Sequence, residues 1–304
     1  MAATQLGLVT YRQATLDAGL TGHQVRHLVE IGTWRRLCPN LFAVAGAPQS
    51  FERDVLAACL SGGPGAMACR ATAARLLDAG RPHFTKAGVE ILVNRSESRR
   101  NAAALGATVH QTRHLDAVDR TMVGPIPVTC GARLVIDLLD EIPDEVLYAL
   151  ADDVIWGLKD RRDIQRTWAR VGGGRHRTTL DAALLPWEPG AKVGSPKEMS
   201  LSRVLQVHGL PRPKLQLPVR IPGRTYPRYL DLAYPEERVA PEYDGRRDHG
   251  PRRWAADADR EDELAELGWL RLPAGRLDLV EPGATAYCEM VGAALAARRP
   301  TTAG

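Results

Sequence analysis

The sequence lacks the cysteine spacing of a disulfide framework or a zinc ribbon. Its five cysteines are scattered over 304 residues and form no Cys-x-x-Cys pair: Cys38, Cys59, Cys69, Cys130 and Cys288. An odd number of isolated cysteines argues for reduced thiols. We therefore expect a cytoplasmic protein.

Long apolar runs and a targeting segment are also missing. No apolar run approaches the roughly 20 residues that span a bilayer, so no membrane partner is expected. Residues 1–13 lack the charged start and apolar core of a signal peptide. The formal net charge of +4 permits a polyanionic partner without requiring one.

Capped helical segments alternate with strand-like segments, which predicts an α/β chain (α+β, multidomain). We expect a winged helix-turn-helix, a mixed α/β region, a linker rich in proline and glycine, and an α/β sandwich around a mixed sheet, over residues 1–48, 49–185, 186–194 and 195–304. The mixed region is interpreted as a connector or a partner-binding domain. Its pair Asp152-Asp153 is expected on a solvated helix face.

Two capping boxes and a basic hairpin mark the N-terminal domain. Thr10 with Gln13, and Thr21 with Gln24, have the spacing that starts helices, and a turn at residues 38–40 separates two predicted strands. This order is typical of a winged helix-turn-helix, whose second helix enters the major groove while the wing touches phosphates. Unless this polar face is merely solvated, the predicted DNA contacts are Gln24, Arg26, His27, Arg35 and Arg36.

The stretch from Tyr229 to His249 carries three carboxylates on two predicted strands. Asp231 lies on the first strand, and Glu242 and Asp244 face one way on the second. Clustered carboxylates repel one another, and a fold retains them when a divalent cation neutralises them. Oxygen ligands suit Mg²⁺ or Mn²⁺, which can activate water and stabilise charge on a phosphodiester. The alternative is that these are ordinary turn and surface charges.

The last third of the chain carries an ordered series of motifs. They are Ser195-Pro-Lys-Glu198, Gly209-Leu-Pro211, Gln216, Leu230-Asp-Leu-Ala-Tyr-Pro235, Glu242-Tyr-Asp-Gly245, His249, Asp257, Arg260, Leu264, Gly268-Trp269 and Arg271. This series resembles the domain related to very-short-patch-repair (Vsr) endonucleases, a branch of the PD-(D/E)xK nuclease fold. The resemblance implies a restriction-endonuclease-like α/β sandwich with a metal-dependent nuclease site.

The same resemblance implies roles for individual residues. Asp231 and Glu242 resemble the central acidic pair that holds Mg²⁺ or Mn²⁺, and Asp244 would be a further ligand. Glu198 resembles the acidic residue on the leading helix, and His249 the histidine that would act as general acid or base. The cations expected to grip the DNA backbone are Arg246, Arg247, Arg252 and Arg253.

Three departures from the nuclease pattern are consistent with weakened or lost catalysis. Asp244 stands where many relatives have a lysine, and Asp248 stands where relatives often have a second histidine. Pro241 directly precedes Glu242, and proline removes a ladder donor from what is expected to be an inner strand.

The first fifty residues carry a second series of short motifs. In order they are Leu-Val-Thr, Ala-Gly-Leu-Thr, Gly-Thr-Trp-Arg-Arg-Leu and Leu-Phe-Ala-Val-Ala-Gly, starting at residues 8, 18, 32 and 41. The series resembles the N-terminal domain of AbiEi-family antitoxins. That resemblance implies a DNA-binding repressor of its own operon, in a toxin–antitoxin system tied to phage defence.

Three hypotheses follow from these patterns. The first is a DNA-binding protein with a metal-dependent endonuclease or nickase domain. The second is a transcriptional repressor whose nuclease-like domain is inactive and serves recognition or homodimerisation. The third is an antitoxin that holds a cognate toxin protein through the middle region.

Overall fold

The computed structural model describes residues 5–80, 83–86, 88–95, 100–139, 141–158, 162–172, 176–187, 195–244 and 262–299. The chain divides into two compact units. The first unit comprises Met1–Ile142 and Asp163–Arg175, and the second comprises Pro143–Arg162 and His176–Gly304. Helices and strands both build the molecule, which confirms the expected mixed α/β class.

The helices and strands are as follows. The helices are α1 (Gly22–Glu30), α2 (Phe51–Gly62), α3 (Arg70–Leu76), α4 (Arg100–Ala104), α5 (Gly131–Asp137), α6 (Asp144–Leu158), α7 (Arg162–Val171), α8 (Arg177–Leu184), α9 (Pro196–Val207), α10 (262–266) and α11 (Gly283–Arg298). The strands are β1 (Leu8–Thr10), β2 (Trp34–Cys38), β3 (Leu41–Val44), β4 (Met67–Ala68), β5 (Glu90–Asn94), β6 (Thr108–Thr112), β7 (Arg120–Val123), β8 (Ile126–Thr129), β9 (Lys214–Val219), β10 (Arg228–Ala233), β11 (Val239–Tyr243) and β12 (Leu270–Ala274).

The first unit opens with an antiparallel sheet of order β1-β3-β2. Both predicted capping boxes are present. Gln13 N donates to Thr10 Oγ1 at 3.2 Å, and Thr21 N donates to Gln24 Oε1 at 2.8 Å. Helix α1 begins directly after Thr21, as predicted, whereas the first predicted helix contains a π-helical turn at Gln13–Asp17. Strand β1 was not predicted from the sequence.

A mixed sheet of order β6-β5-β4-β8-β7 forms the rest of the first unit. Its β5–β6 and β4–β8 pairs are parallel, and the other pairs are antiparallel. Asp119, fully buried, accepts from Arg133 Nη1 at 3.3 Å and from Arg170 Nη1 at 3.0 Å. Burial alone would raise the pKa of Asp119. The hydrogen bonds from Arg170 and from the Asp116 amide, together with the charge of Arg133, outweigh burial, so the pKa of Asp119 is lowered.

A buried ion pair organises the helices of the second unit. Asp152 on α6 is 1% exposed, so the expectation that it lies on a solvated face is wrong, whereas Asp153 is exposed. Arg203 Nη1 donates to Asp152 Oδ2 at 2.8 Å, and Trp187 Nε1 donates to Oδ1 at 2.8 Å. Ser200 Oγ also donates to Asp152 Oδ2 at 2.8 Å. Amphipathic spacing along one helix does not reveal a partner 51 residues away.

The same contacts change the expected domain boundary. Residues 143–162 and 176–185, which the sequence placed in the middle region, and Trp187, which it placed in the linker, belong to the second unit. The network just described links them to α9: Arg203 of α9 donates to Asp152, and Trp187 donates to the same carboxylate. Arg203 adds hydrogen bonds to the carbonyl oxygens of Ala182 and Ala183 near the end of α8.

The C-terminal part of the second unit runs α9, β9, β10, β11, α10, β12, α11. Strands β9 and β10 are antiparallel, β11 and β12 are parallel, and a Tyr234–Val239 bridge joins β10 to β11. One apolar cluster lies with α9 and α11 and includes Leu201, Leu232 and Val291. A second includes Leu230 and Leu264, the latter on α10. The described elements follow the order that the sequence predicted for this region: helix, three strands, helix, strand, helix.

In the part of the chain that the structure describes, no helix combines the length and the apolar character needed to cross a bilayer.

Candidate functional site

The N-terminus of α9 positions the first acidic residue of the site. Ser195 caps the helix, since Glu198 N donates to Ser195 Oγ at 3.3 Å, and Pro196 occupies the first turn, where its missing N–H does no harm. Glu198 itself is 8% exposed. The positive end of the helix dipole favours its carboxylate at this position.

Gln216 connects this helix to the neighbouring strands. Its Nε2 donates to Glu198 Oε2 at 2.9 Å and to Asp231 Oδ1 at 3.0 Å. Because both oxygens lie within hydrogen-bond distance of the same nitrogen, the two carboxylates are held close together by a neutral donor. The structure therefore brings together Glu198 and Asp231, as predicted, through a residue to which the sequence analysis assigned no role.

The backbone at Gln216 is unusual for an inner position of a strand. Its φ is +48°, in the left-handed region that costs a non-glycine residue about 1–2 kcal/mol. Leu215 and Leu232, paired across the strands, pack in the cluster with α9, whereas the next pair, Leu217 and Leu230, packs in the other cluster. Residues two apart on a regular strand share a face, so both strands change sides at Gln216 and Asp231.

Pro241 lies within β11 and bears on the same site. At Val239, two residues earlier on β11, the N–H and C=O both bond to Tyr234, which directly follows β10. Backbone groups alternate direction along a strand, so the missing N–H of Pro241 faces β10, while the parallel register with β12 continues through Pro241 and Leu272. The strand therefore continues through the proline. The proline does remove a donor next to Glu242.

Asp231 on β10 and Glu242 on β11 lie on neighbouring segments joined at the Tyr234–Val239 bridge. Glu242 is 6% exposed and pairs with Arg271 on β12. Arg271 Nε donates to Glu242 Oε2 at 3.0 Å, and its Nη2 donates to the same oxygen. Both of these hydrogen bonds go to Oε2.

The remaining predicted residues are not brought into this cluster by the described contacts. Asp244 is exposed at the end of β11, where its backbone N–H donates to Ala274 O at 2.8 Å. Five predicted site residues lie outside the described residues: His249, Arg246, Arg247, Arg252 and Arg253. Their predicted roles stay predictions.

The carboxylate and amide oxygens of this cluster are the type of ligand that Mg²⁺ and Mn²⁺ prefer. Within the described ranges, no group of three or more His, Cys, Asp or Glu side chains is arranged to hold a metal ion. Mg²⁺ does not need such a group, because it keeps several waters and binds through one or two carboxylates plus substrate phosphates. Asp231 and Glu242 provide two carboxylates on adjacent strands, and Gln216 can turn its amide so that Oε1 replaces Nε2.

The predicted DNA-contacting surface of the first unit is divided between two faces of its sheet. Gln24, Arg26 and His27 are exposed on α1, although Gln24 Oε1 accepts the capping bonds from Thr21. Arg36 lies over the ring of Phe42, 5.6 Å from its centroid, and Phe42 packs against α1. Arg35, the preceding residue on β2, points to the other face of the sheet, where it lines a recess with residues of α2.

The sequence analysis included Gln216 and Arg271 in the nuclease-like series but assigned them no role. Gln216 carries an amide on an otherwise apolar strand, between Leu215 and Leu217. Arg271 likewise interrupts an apolar strand, between Leu270 and Leu272. A polar side chain on a strand that is expected to be internal needs a partner, and this is the signal that could have identified both residues.

The comparison with protein-family models finds no match. Two relatives are uncharacterized proteins of Mycobacterium tuberculosis strains, Rv2248 and MT2308, each 37% identical over 101 residues. The match covers 33% of this chain and 36% of each relative, so the chain spans about a third of their length. The crystal structure of the RV2827C protein from the same organism is similar over 60% of this chain and 74% of its own, with 15% sequence identity and a TM-score of 0.37.

Proposed function

We propose that this protein binds DNA and hydrolyses phosphodiester bonds as a metal-dependent endonuclease or nickase. The observation that carries the proposal is the meeting of Glu198 and Asp231 on Gln216. Glu242 lies on β11, which the Tyr234–Val239 bridge joins to the end of β10. The order of α9, three antiparallel strands, a helix, and a strand parallel to β11 supports the Vsr-like interpretation. A Mg²⁺ or Mn²⁺ ion bound by Asp231 and Glu242 would supply an activated water and positive charge.

The residues of the chain have separate tasks in this proposal. Glu198 and Gln216 position Asp231, because they share one hydrogen-bonded network with it. Arg271 holds the Glu242 carboxylate at Oε2 and places a fixed cation beside the site. That cation could partly replace the lysine that is missing at Asp244, since it offers positive charge to a phosphate. His249 would move the proton in this proposal.

DNA recognition is assigned to the first unit. The exposed side chains of Arg26 and His27 on α1 fit the major-groove helix of a winged helix-turn-helix. Arg36 lies on the same face of the sheet as α1 and fits a phosphate contact from the wing. A cognate toxin partner and homodimerisation stay predictions, and a link to phage defence rests on the AbiEi-like resemblance alone.

Plasmid cleavage tests the enzymatic proposal. Purified full-length protein is incubated with supercoiled plasmid and Mg²⁺ or Mn²⁺, beside Asp231→Asn, Glu242→Gln and the matched control Glu236→Gln. Glu236 is exposed in the turn between β10 and β11, outside the carboxylate cluster. Cleavage that survives in Glu236→Gln and is lost in the other two supports the proposal. Cleavage retained by Asp231→Asn would remove it.

A second candidate is a DNA-binding repressor with an inactive nuclease-like domain. The Glu242–Arg271 ion pair favours it, because a carboxylate already neutralised by arginine needs no metal. This candidate predicts duplex binding by the wild type without cleavage of plasmid, single strands or mismatched duplex under any divalent ion. Isothermal titration with Mn²⁺ would then show no binding that depends on Asp231.

A further inference from the structure

The connection between β9 and β10 contains a hydrogen-bonded turn and presents two exposed tyrosines. Residues 221–224 form a turn in which Arg224 N donates to Ile221 O at 3.2 Å, with Pro222 second and Gly223 third at φ +78°. Proline followed by a glycine of positive φ is the arrangement of a type II turn. Tyr226, beyond the turn, is 80% exposed, and Tyr229 at the start of β10 is 49% exposed.

The same segment, which we call the β9–β10 tip (residues 220–229), is strongly basic. It contains no Asp or Glu and three cations: Arg220, Arg224 and Arg228. Arg224 and Arg228 both pair with Glu263 on α10, which fixes the tip to that helix. Hydrogen bonding by Arg224, opposed by desolvation and assisted by Arg228, lowers the pKa of Glu263. The Glu263 carboxylate is therefore ionised at neutral pH.

Exposed aromatic rings among cations, on a preorganised loop, match the chemistry of single-stranded nucleic acid. Tyrosine rings stack on bases of any sequence, while arginine and lysine contact the backbone. Duplex DNA hides its base faces, so such rings can stack only where bases are unpaired. A tip that is already ordered loses less entropy on binding. Tyr229 lies two residues before Asp231 on β10, so a strand bound there would lie near the carboxylate cluster.

We propose that the β9–β10 tip binds unpaired DNA, with Tyr226 and Tyr229 stacking on bases and its arginines contacting the backbone. The inference rests on the proposed nuclease function and narrows its substrate to single-stranded DNA or duplex containing an unpaired segment.

Fluorescence anisotropy with labelled oligothymidylate tests the proposal on the full chain, in EDTA so that cleavage does not interfere. Tyr226→Ala and Tyr229→Ala should each weaken binding about fivefold or more, and Tyr226→Phe and Tyr229→Phe should retain it, because the ring does the stacking. Trp156→Ala, which removes another exposed aromatic ring of the second unit, should have no effect. Affinity for duplex of the same length should not change in the tip variants.

The outcomes separate this inference from the proposed function. Wild-type affinity in both alanine variants, or an equal loss in the phenylalanine variants, overturns the tip proposal, since stacking would not be the contact. Plasmid cleavage that depends on Asp231 in the same preparation leaves the nuclease proposal standing in that case. Wild-type protein that binds no oligothymidylate also overturns the tip proposal. Absence of Asp231-dependent cleavage overturns the nuclease proposal whatever the tip does.

Discussion

Gln216 joins two carboxylates that would otherwise repel each other, and it does so from a left-handed backbone conformation inside a strand. A non-glycine residue keeps such a conformation when its surroundings enforce it, and such strain clusters at functional sites. The hydrogen bonds to Glu198 and Asp231 are the enforcing contacts in this case. The sequence analysis named Glu198 and Asp231 as candidate site residues, but it gave no role to Gln216, whose amide connects them.

Arg271 leads to a prediction about metal affinity. Replacing it in Arg271→Met leaves the Glu242 carboxylate, 6% exposed, without its guanidinium partner. Breaking a buried ion pair typically destabilises by about 3 kcal/mol, and loss of a nearby cation favours a divalent ion at the same carboxylate. We expect urea unfolding in EDTA to show this loss, and added Mn²⁺ to restore part of it.

Arg271→Lys is the matched control for that measurement, because it keeps the charge while losing the two-donor geometry. Its stability in EDTA should lie between those of the wild type and Arg271→Met. If Mn²⁺ left the stability of Arg271→Met unchanged, the carboxylate cluster would not be a metal site.

The capping boxes and the hairpin at the start of the first unit were predictable because their signals are local. Thr21 and Gln24 make the capping box that the spacing predicted, and the hairpin of β2 and β3 forms around residues 39–40. Strand β1 was missed because three residues are too few to show alternation, and its identity depends on pairing with β3. The two wing arginines occupy adjacent positions of one strand, and alternation alone separates them onto different faces.

This separation predicts different effects of Arg35 and Arg36 on DNA binding. Arg36 lies on the side of α1, so Arg36→Ala should weaken duplex binding and reduce the slope of log affinity against log salt by about 0.9, the value for one phosphate contact. Arg35→Ala, on the side of α2, should leave both quantities near wild type. Anisotropy measured over a series of salt concentrations checks this. Equal losses of duplex affinity in the two variants would show that the wing does not contact DNA through the face that carries Arg36.

At the scale of the whole molecule, the Asp152–Arg203 pair joins α6 to α9 within the second unit. Asp152 is 1% exposed and Arg203 is 2% exposed, so each charge depends on the other for compensation. We expect Asp152→Ala to destabilise the second unit by about 3–5 kcal/mol, because it leaves a buried arginine unpaired. Denaturant unfolding of the full chain, followed by far-UV circular dichroism, measures this loss.

Two further variants make this prediction specific. Asp153→Ala, at the exposed neighbouring position, should change stability by no more than about 0.5 kcal/mol. The double variant Asp152→Leu/Arg203→Met replaces both charges with apolar side chains and should lose less stability than Asp152→Ala alone. Equal losses in Asp152→Ala and Asp153→Ala would contradict a buried pair.

The sequence by itself determined the starts of α1 and α9, the wing hairpin, and the succession of helices and strands in the last hundred residues. These features depend on capping, alternation and turn chemistry, which act between residues a few positions apart. Only the tertiary structure decided that Asp152 is buried against Arg203, 51 residues away, and that Glu242 is paired with Arg271, 29 residues away. The partner of a buried charge depends on how elements distant in the chain pack together, and local spacing contains no record of that packing.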